Sequence, residues 1–167
     1  MSGTSPAWLR SSPLAMSSID PIVSARTQAS PGWPAGVTEE MIQRVVHTFY
    51  DKARVDPRLG PVFERRVADW TAHLARMCDF WSSVMLMSGR YHGTPMQAHA
   101  ALPEIAPDHF ASWLELFGET ARQVCPPEAA ALFVDRAQRI AESLQTGIAV
   151  SRGELPARIQ GAGGGPA

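Results

Sequence analysis

From Thr38 to about Val150, every sustained apolar pattern in the chain recurs every three to four residues, and no stretch alternates with period two over a strand's length. Each such run makes a helix with one apolar face, and helices alone must cover one another's faces, so the chain is restricted to an all-α fold. Thr38 stands where a first helix needs an N-cap, ahead of Ile42, Val46, Phe49, Tyr50 and Ala53, and Asp56-Pro57 stops the run. A short apolar corner, LGPVF (59–63), follows. A second long helix carries Trp70, His73, Leu74, Met77, Phe80, Trp81 and Val84, with Gly89 expected at its C′ position. After the loop GRYHGTP comes a short amphipathic piece, MQAHAAL, halted by Pro103. The third long helix starts near Pro107 and presents Phe110, Trp113, Leu114, Phe117, Ala121 and Val124. Cys125-Pro126-Pro127 is a turn, and the fourth helix shows Phe133, Ala137, Ile140, Leu144 and Ile148.

Outside that span the composition changes. Residues 1–37 hold many Ser, Ala and Pro without an apolar helical pattern, and read as a disordered or poorly ordered extension. Residues 151–167 end in GAGGGPA, a flexible Gly-rich tail. One helical domain, 38–150, remains. The chain has 15 basic and 16 acidic side chains, a net charge of −1, so no basic excess exists to displace counterions from nucleic acid, and no such partner is expected. Two cysteines, Cys78 and Cys125, without a CxxC pair, support neither a disulfide framework nor zinc or thiol redox chemistry. No apolar run approaches the ~20 residues that span a bilayer, and residues 1–18 lack the continuous apolar region of a secretory signal. The expected location is the cytoplasm, away from membranes.

Generic catalytic motifs such as HExxH, GxSxG and GxxxxGK[ST] are missing. What remains is a set of polar residues on apolar faces. His73 lies four residues before Met77 and seven before Phe80, on their inward stripe. Tyr50 sits beside Phe49, Trp113 lies on the inward stripe of the third long helix, and His99 is three residues before Leu102 on the inner side of the short piece. Singly, each has a plainer reading. A histidine on an apolar face is more often a hydrogen-bonded core residue than a ligand, and Tyr or Trp at helical spacing is usually core. Cys78 reads as a small hydrophobe. A zinc site from His92, His99 and His109 has no spacing signature.

Four separated strings, in order, change that weighing: FYDKARVDPRLGPVF (49–63), DWTAHLARMCDFW (69–81), SGRYHGTPMQAHAALP (88–103) and HFASWLELF (109–117). Together they resemble the truncated haemoglobins, and most of all the group III branch, whose span they cover across 38–150. The paired glycines that other branches carry around their first and fourth segments are absent here. The resemblance implies a two-over-two helical sandwich around haem b, iron protoporphyrin IX. It makes His99 the proximal iron ligand, in Gly-x-Pro-x-x-x-His before Leu-Pro. Tyr50, Trp113 and His73 become the distal polar residues, Met77 an apolar wall and Phe63 the aromatic at the haem edge, while Phe80 helps keep the slot dry. Arg90, Tyr91 and His92, in the loop before His99, are candidates to meet the haem's acidic groups.

These residue types suit such a site. Haem iron takes a neutral imidazole through Nε2 while the other nitrogen is hydrogen-bonded. A diatomic ligand that acquires negative charge is held by donors in a dry pocket, and Tyr O–H, Trp N–H and imidazole N–H are three of these. The implied function is binding of dioxygen, nitric oxide or other small diatomic ligands. Strong retention favours nitric-oxide or reactive-ligand detoxification over oxygen transport. A nitric-oxide dioxygenase or peroxidase-like activity would need an unidentified external reductase, since the chain encodes no flavin or nicotinamide domain. The alternative is a haem-free helical interaction or signalling module, in which His99, Tyr50 and Trp113 merely fill a core.

Overall fold

A computed structural model of the chain describes residues 21–154, and among them the only regular structure is helical. The elements are α1 (Pro21–Gln28), α2 (Glu39–Ala53), α3 (Gly60–Arg66), α4 (Trp70–Leu86), α5 (Pro95–Ala100), α6 (Pro107–Val124) and α7 (Pro127–Ser151). α2 begins as its sequence requires: the Thr38 hydroxyl accepts from the Met41 amide at 3.2 Å, and Glu39 and Glu40 occupy the first turn, where the helix dipole favours acids. Asp69 caps α4 in the same way, accepting from Ala72 N at 3.1 Å.

α6 and α7 form a helical hairpin about Cys125-Pro126, α2 packs on both α6 and α4, and α5 lies against α7. The two long pairs, α2 with α4 and α6 with α7, give the two-over-two arrangement. Their shared core is aromatic. Phe49 of α2, Phe117 of α6 and Phe133 of α7 are buried, and Trp81 of α4 stacks on Phe117 at 4.7 Å between ring centroids. Each buried phenyl removes enough apolar surface from water to contribute roughly 1.5–3 kcal/mol.

Two boundaries differ from the sequence expectations. α4 ends at Leu86 and its cap is Met87, left-handed with φ 55°, two residues before Gly89, which also has a positive φ of 71°. The helix-end carbonyl of Met85 finds its donor in the amide of Gly32, 2.8 Å away. A side chain at position 32 would bring a Cβ within 2.7 Å of that carbonyl, so glycine is what allows the approach. Because of this contact the packed domain starts before residue 38: α1 precedes it, and Ser30, Gly32 and Val37 are buried. Residues 1–20 and 155–167, which hold most of the expected extension and tail, lie outside the described residues.

Candidate functional site

Tyr50 is the hub of a cluster built by three consecutive helices. Its ring, nearly buried on α2, meets Phe63 of α3 at 5.3 Å and Trp70 and His73 of α4 at 5.8 and 4.9 Å, all edge-on. On its other side Phe49 stands 5.0 Å away and leads to Trp113 at 6.1 Å. Trp113 is itself fixed by stacking on Phe117, 5.2 Å apart with 16° between planes. Met77, one turn after His73, is half-buried and packs on the same core. The structure therefore gathers Tyr50, Phe63 and His73 directly and Trp113 through Phe49. Trp70 belongs to the cluster too, with the Arg54 guanidinium 4.5 Å over its ring. Its spacing, three residues before His73, was the available signal for it.

Burial shapes the chemistry of this cluster. It pushes the Tyr50 phenol well above its ordinary range, so the hydroxyl keeps its proton. Burial first, and the Arg76 charge second, hold the His73 imidazole below its ordinary value, which favours the neutral ring. His73 Nε2 is buried without a hydrogen-bond partner. Such an atom costs free energy unless something else in the functioning molecule meets it.

The second histidine of interest is presented differently. α5 has only six residues, none of them buried, so packing alone holds it weakly. His99 Nδ1 lies 2.7 Å from the Pro95 carbonyl, one turn back. A carbonyl only accepts, so Nδ1 is the donor in this contact and Nε2 is left outside it. Phe110 of α6 flanks the ring at 6.3 Å.

The segment bearing α5 is anchored from both sides. Before it, Arg90 pairs with Glu39 at 2.8 Å and Asp79 at 2.9 Å, and the Ser82 hydroxyl also donates to Glu39, at 2.7 Å. After it, Arg66 holds Glu104 through a bidentate contact at 2.6 and 2.9 Å, and Arg152 donates to the Leu102 and Ile105 carbonyls, each at 3.2 Å. Arg90 is thus engaged by two carboxylates. Tyr91 packs on Phe80 at 5.2 Å, and His92 is exposed. Among the described residues no three histidine, cysteine or carboxylate side chains gather as metal ligands would, and His109 instead accepts from the Ala106 amide at the start of α6.

Phe80 lies elsewhere, on the wall of a groove of about 410 Å³ between α4, α5 and α7. Val84, Met96, Ile140 and Leu144 give it apolar walls, and Arg136 adds a cation. Met96 reaches α7 over the bare backbone of Gly147, where a Cβ would fall 2.2 Å from its sulfur. The groove lies where the core divides. Phe110, Ala141, Leu144 and Ile148 form a cluster apart from the main one, and Trp113, Leu114 and Ile140 touch both. His73 and Tyr50 belong to the main side and His99 to the smaller one, next to Phe110. An imidazole locked by its far nitrogen, an apolar slot and a set of buried donors are what an iron porphyrin requires.

No family model matches the chain. The group 3 truncated haemoglobin of Campylobacter jejuni is 34% identical to it over 113 residues, 65% of this chain and 89% of that protein. The crystal structure of group III truncated haemoglobin from Campylobacter jejuni matches the fold with a TM-score of 0.64, at 34% identity, over 67% of this chain and 91% of that one. Sequence and fold converge on one assignment: the chain belongs to the group III truncated haemoglobins.

Proposed function

We propose that the chain binds haem b between α4 and α5, with His99 as the proximal iron ligand, and retains dioxygen and other diatomic ligands under Tyr50, His73 and Trp113. The observation that carries this reading is the state of the two histidines. His99 is locked through Nδ1 at 2.7 Å with Nε2 left for a metal, while His73 Nε2 is buried and unpartnered. When bound, haem supplies the iron that takes up the diatomic ligand and exchanges electrons.

The chain's own residues do the rest. The Pro95 carbonyl orients the His99 ring and makes it a better donor. Tyr50 and Trp113 offer O–H and N–H to a ligand that acquires negative charge, and each such bond contributes about 1–2 kcal/mol to retention. Phe63 and Met77 exclude water, and Phe80 closes an edge of the slot. Strong retention suits conversion of a reactive ligand better than carriage of oxygen. We therefore favour detoxification of nitric oxide, in which nitric oxide, dioxygen and one electron from an external reductase give nitrate. Globin chemistry is assigned to the span 38–150.

The test is single-turnover mixing of the oxygenated, haem-loaded protein with nitric oxide. Stoichiometric nitrate formed near the diffusion limit supports detoxification. Slow or substoichiometric nitrate removes it and leaves ligand binding alone.

A further inference from the structure

We infer that Arg136, on α7, takes a carboxylate of the bound porphyrin at the edge of the groove between α4, α5 and α7. This rests on the haem-binding reading above.

Arg136 Nε is buried with no hydrogen-bond partner, and none of the ion pairs among the described residues includes this side chain. The other cations near the groove are already matched. Arg139 lies 3.0 Å from Asp135, and Arg90 is held by Glu39 and Asp79. The side chain is half-buried, and a buried guanidinium N–H without an acceptor is costly unless a ligand brings one to it.

The placement of the groove says which ligand. Phe80 stands two helical turns after His73 on α4, and Met96 one turn before His99 on α5. A flat group held between the two imidazoles would reach toward Phe80 and Met96, which share their groove with Arg136. The apolar walls suit a tetrapyrrole ring, and the guanidinium fork matches a carboxylate, which it grips with two parallel hydrogen bonds. A ligand without an acid would leave Arg136 as it is now.

The experiment measures haem loss to excess haem-scavenging apoprotein, for wild type, Arg136→Gln and Arg136→Lys, loaded either with iron protoporphyrin IX or with its dimethyl ester. The diacid should leave Arg136→Gln about tenfold faster than wild type, with Arg136→Lys between them. The diester should leave wild type and Arg136→Gln at the same rate. Equal diacid rates in wild type and Arg136→Gln overturn the assignment, as does an equal acceleration of diester loss. Should Arg136→Gln fail to fold, Arg136→Lys decides: it must lose the diacid faster than wild type while losing the diester at the wild-type rate, and equal diacid rates again overturn the assignment. A wild-type protein that takes up neither porphyrin defeats the haem-binding reading itself, a separate outcome.

Discussion

The rings of Tyr50 and His73 meet edge-on, 4.9 Å apart between centroids and at 88° between planes. One is carried by α2 and the other by α4, so the contact exists only when those helices pack as observed. It places a buried phenol that keeps its proton beside a half-buried imidazole that prefers to be neutral.

Tyr50→Phe removes the hydroxyl and keeps the ring contacts with Phe63, Trp70 and His73. The loss of one donor should raise the dioxygen dissociation rate about tenfold or speed autoxidation comparably. Stopped-flow ligand displacement reads the first and loss of the oxygenated spectrum the second. If both rates stay at their wild-type values, Tyr50 has no part in ligand retention.

Trp113 is oriented by stacking on Phe117, so Trp113→Phe should delete an N–H without loosening the wall. The C–O stretching frequency of the carbonmonoxy protein should then shift toward that of an apolar pocket. An unshifted band shows that the indole N–H faces away from the ligand.

Much of this arrangement is legible in sequence because helical spacing lays residues on faces. Tyr50, His73 and Trp113 sit on inward stripes, and the structure buries or half-buries each. Arg136 was not legible: it stands three residues after Phe133 and four before Ile140 on α7, but a charged side chain there reads as noise until its neighbours prove apolar. The α4 terminus was not legible. Gly89 is at positive φ as well, yet the cap falls two residues earlier, on Met87, and the Met85 carbonyl takes its donor from Gly32, more than fifty positions away. Spacing within one helix cannot report a donor from another part of the chain. Nor could it show that Arg90, a sequence candidate for meeting the porphyrin acids, is already bound to Glu39 and Asp79.

His73 should make stability pH-dependent. Its folded value lies below the ordinary one, so the unfolded chain binds the proton more readily. The contribution is complete above the unfolded value of about 6.5 and is lost as pH falls toward the folded one. Urea midpoints of the haem-free protein, measured between about pH 7.5 and pH 5, should therefore fall more steeply for wild type than for His73→Leu. Parallel curves mean that the imidazole is as free to protonate when folded as when unfolded.

The Arg90 clasp is half-exposed, and its worth is correspondingly small. A double-mutant cycle with Glu39→Gln and Arg90→Gln should give a coupling of about 0.5–1 kcal/mol at low ionic strength, shrinking in about 1 M salt. Because the clasp anchors the segment leading to α5, the haem-loaded single variants should also release haem faster than wild type. A coupling of zero at low salt makes the pair incidental to α5.

In the function proposed here, His99 is the residue through which this fold holds haem iron. Titrating wild type with haem should give one equivalent bound per chain, an intense Soret band and, in the ferrous unliganded state, an iron–histidine stretching band in the resonance Raman spectrum. His99→Ala should lose that stretch and regain a five-coordinate ferrous spectrum when imidazole is added. A His99→Ala protein with the wild-type Soret band and an unchanged iron–histidine stretch would contradict the assignment and move the proximal ligand to another residue.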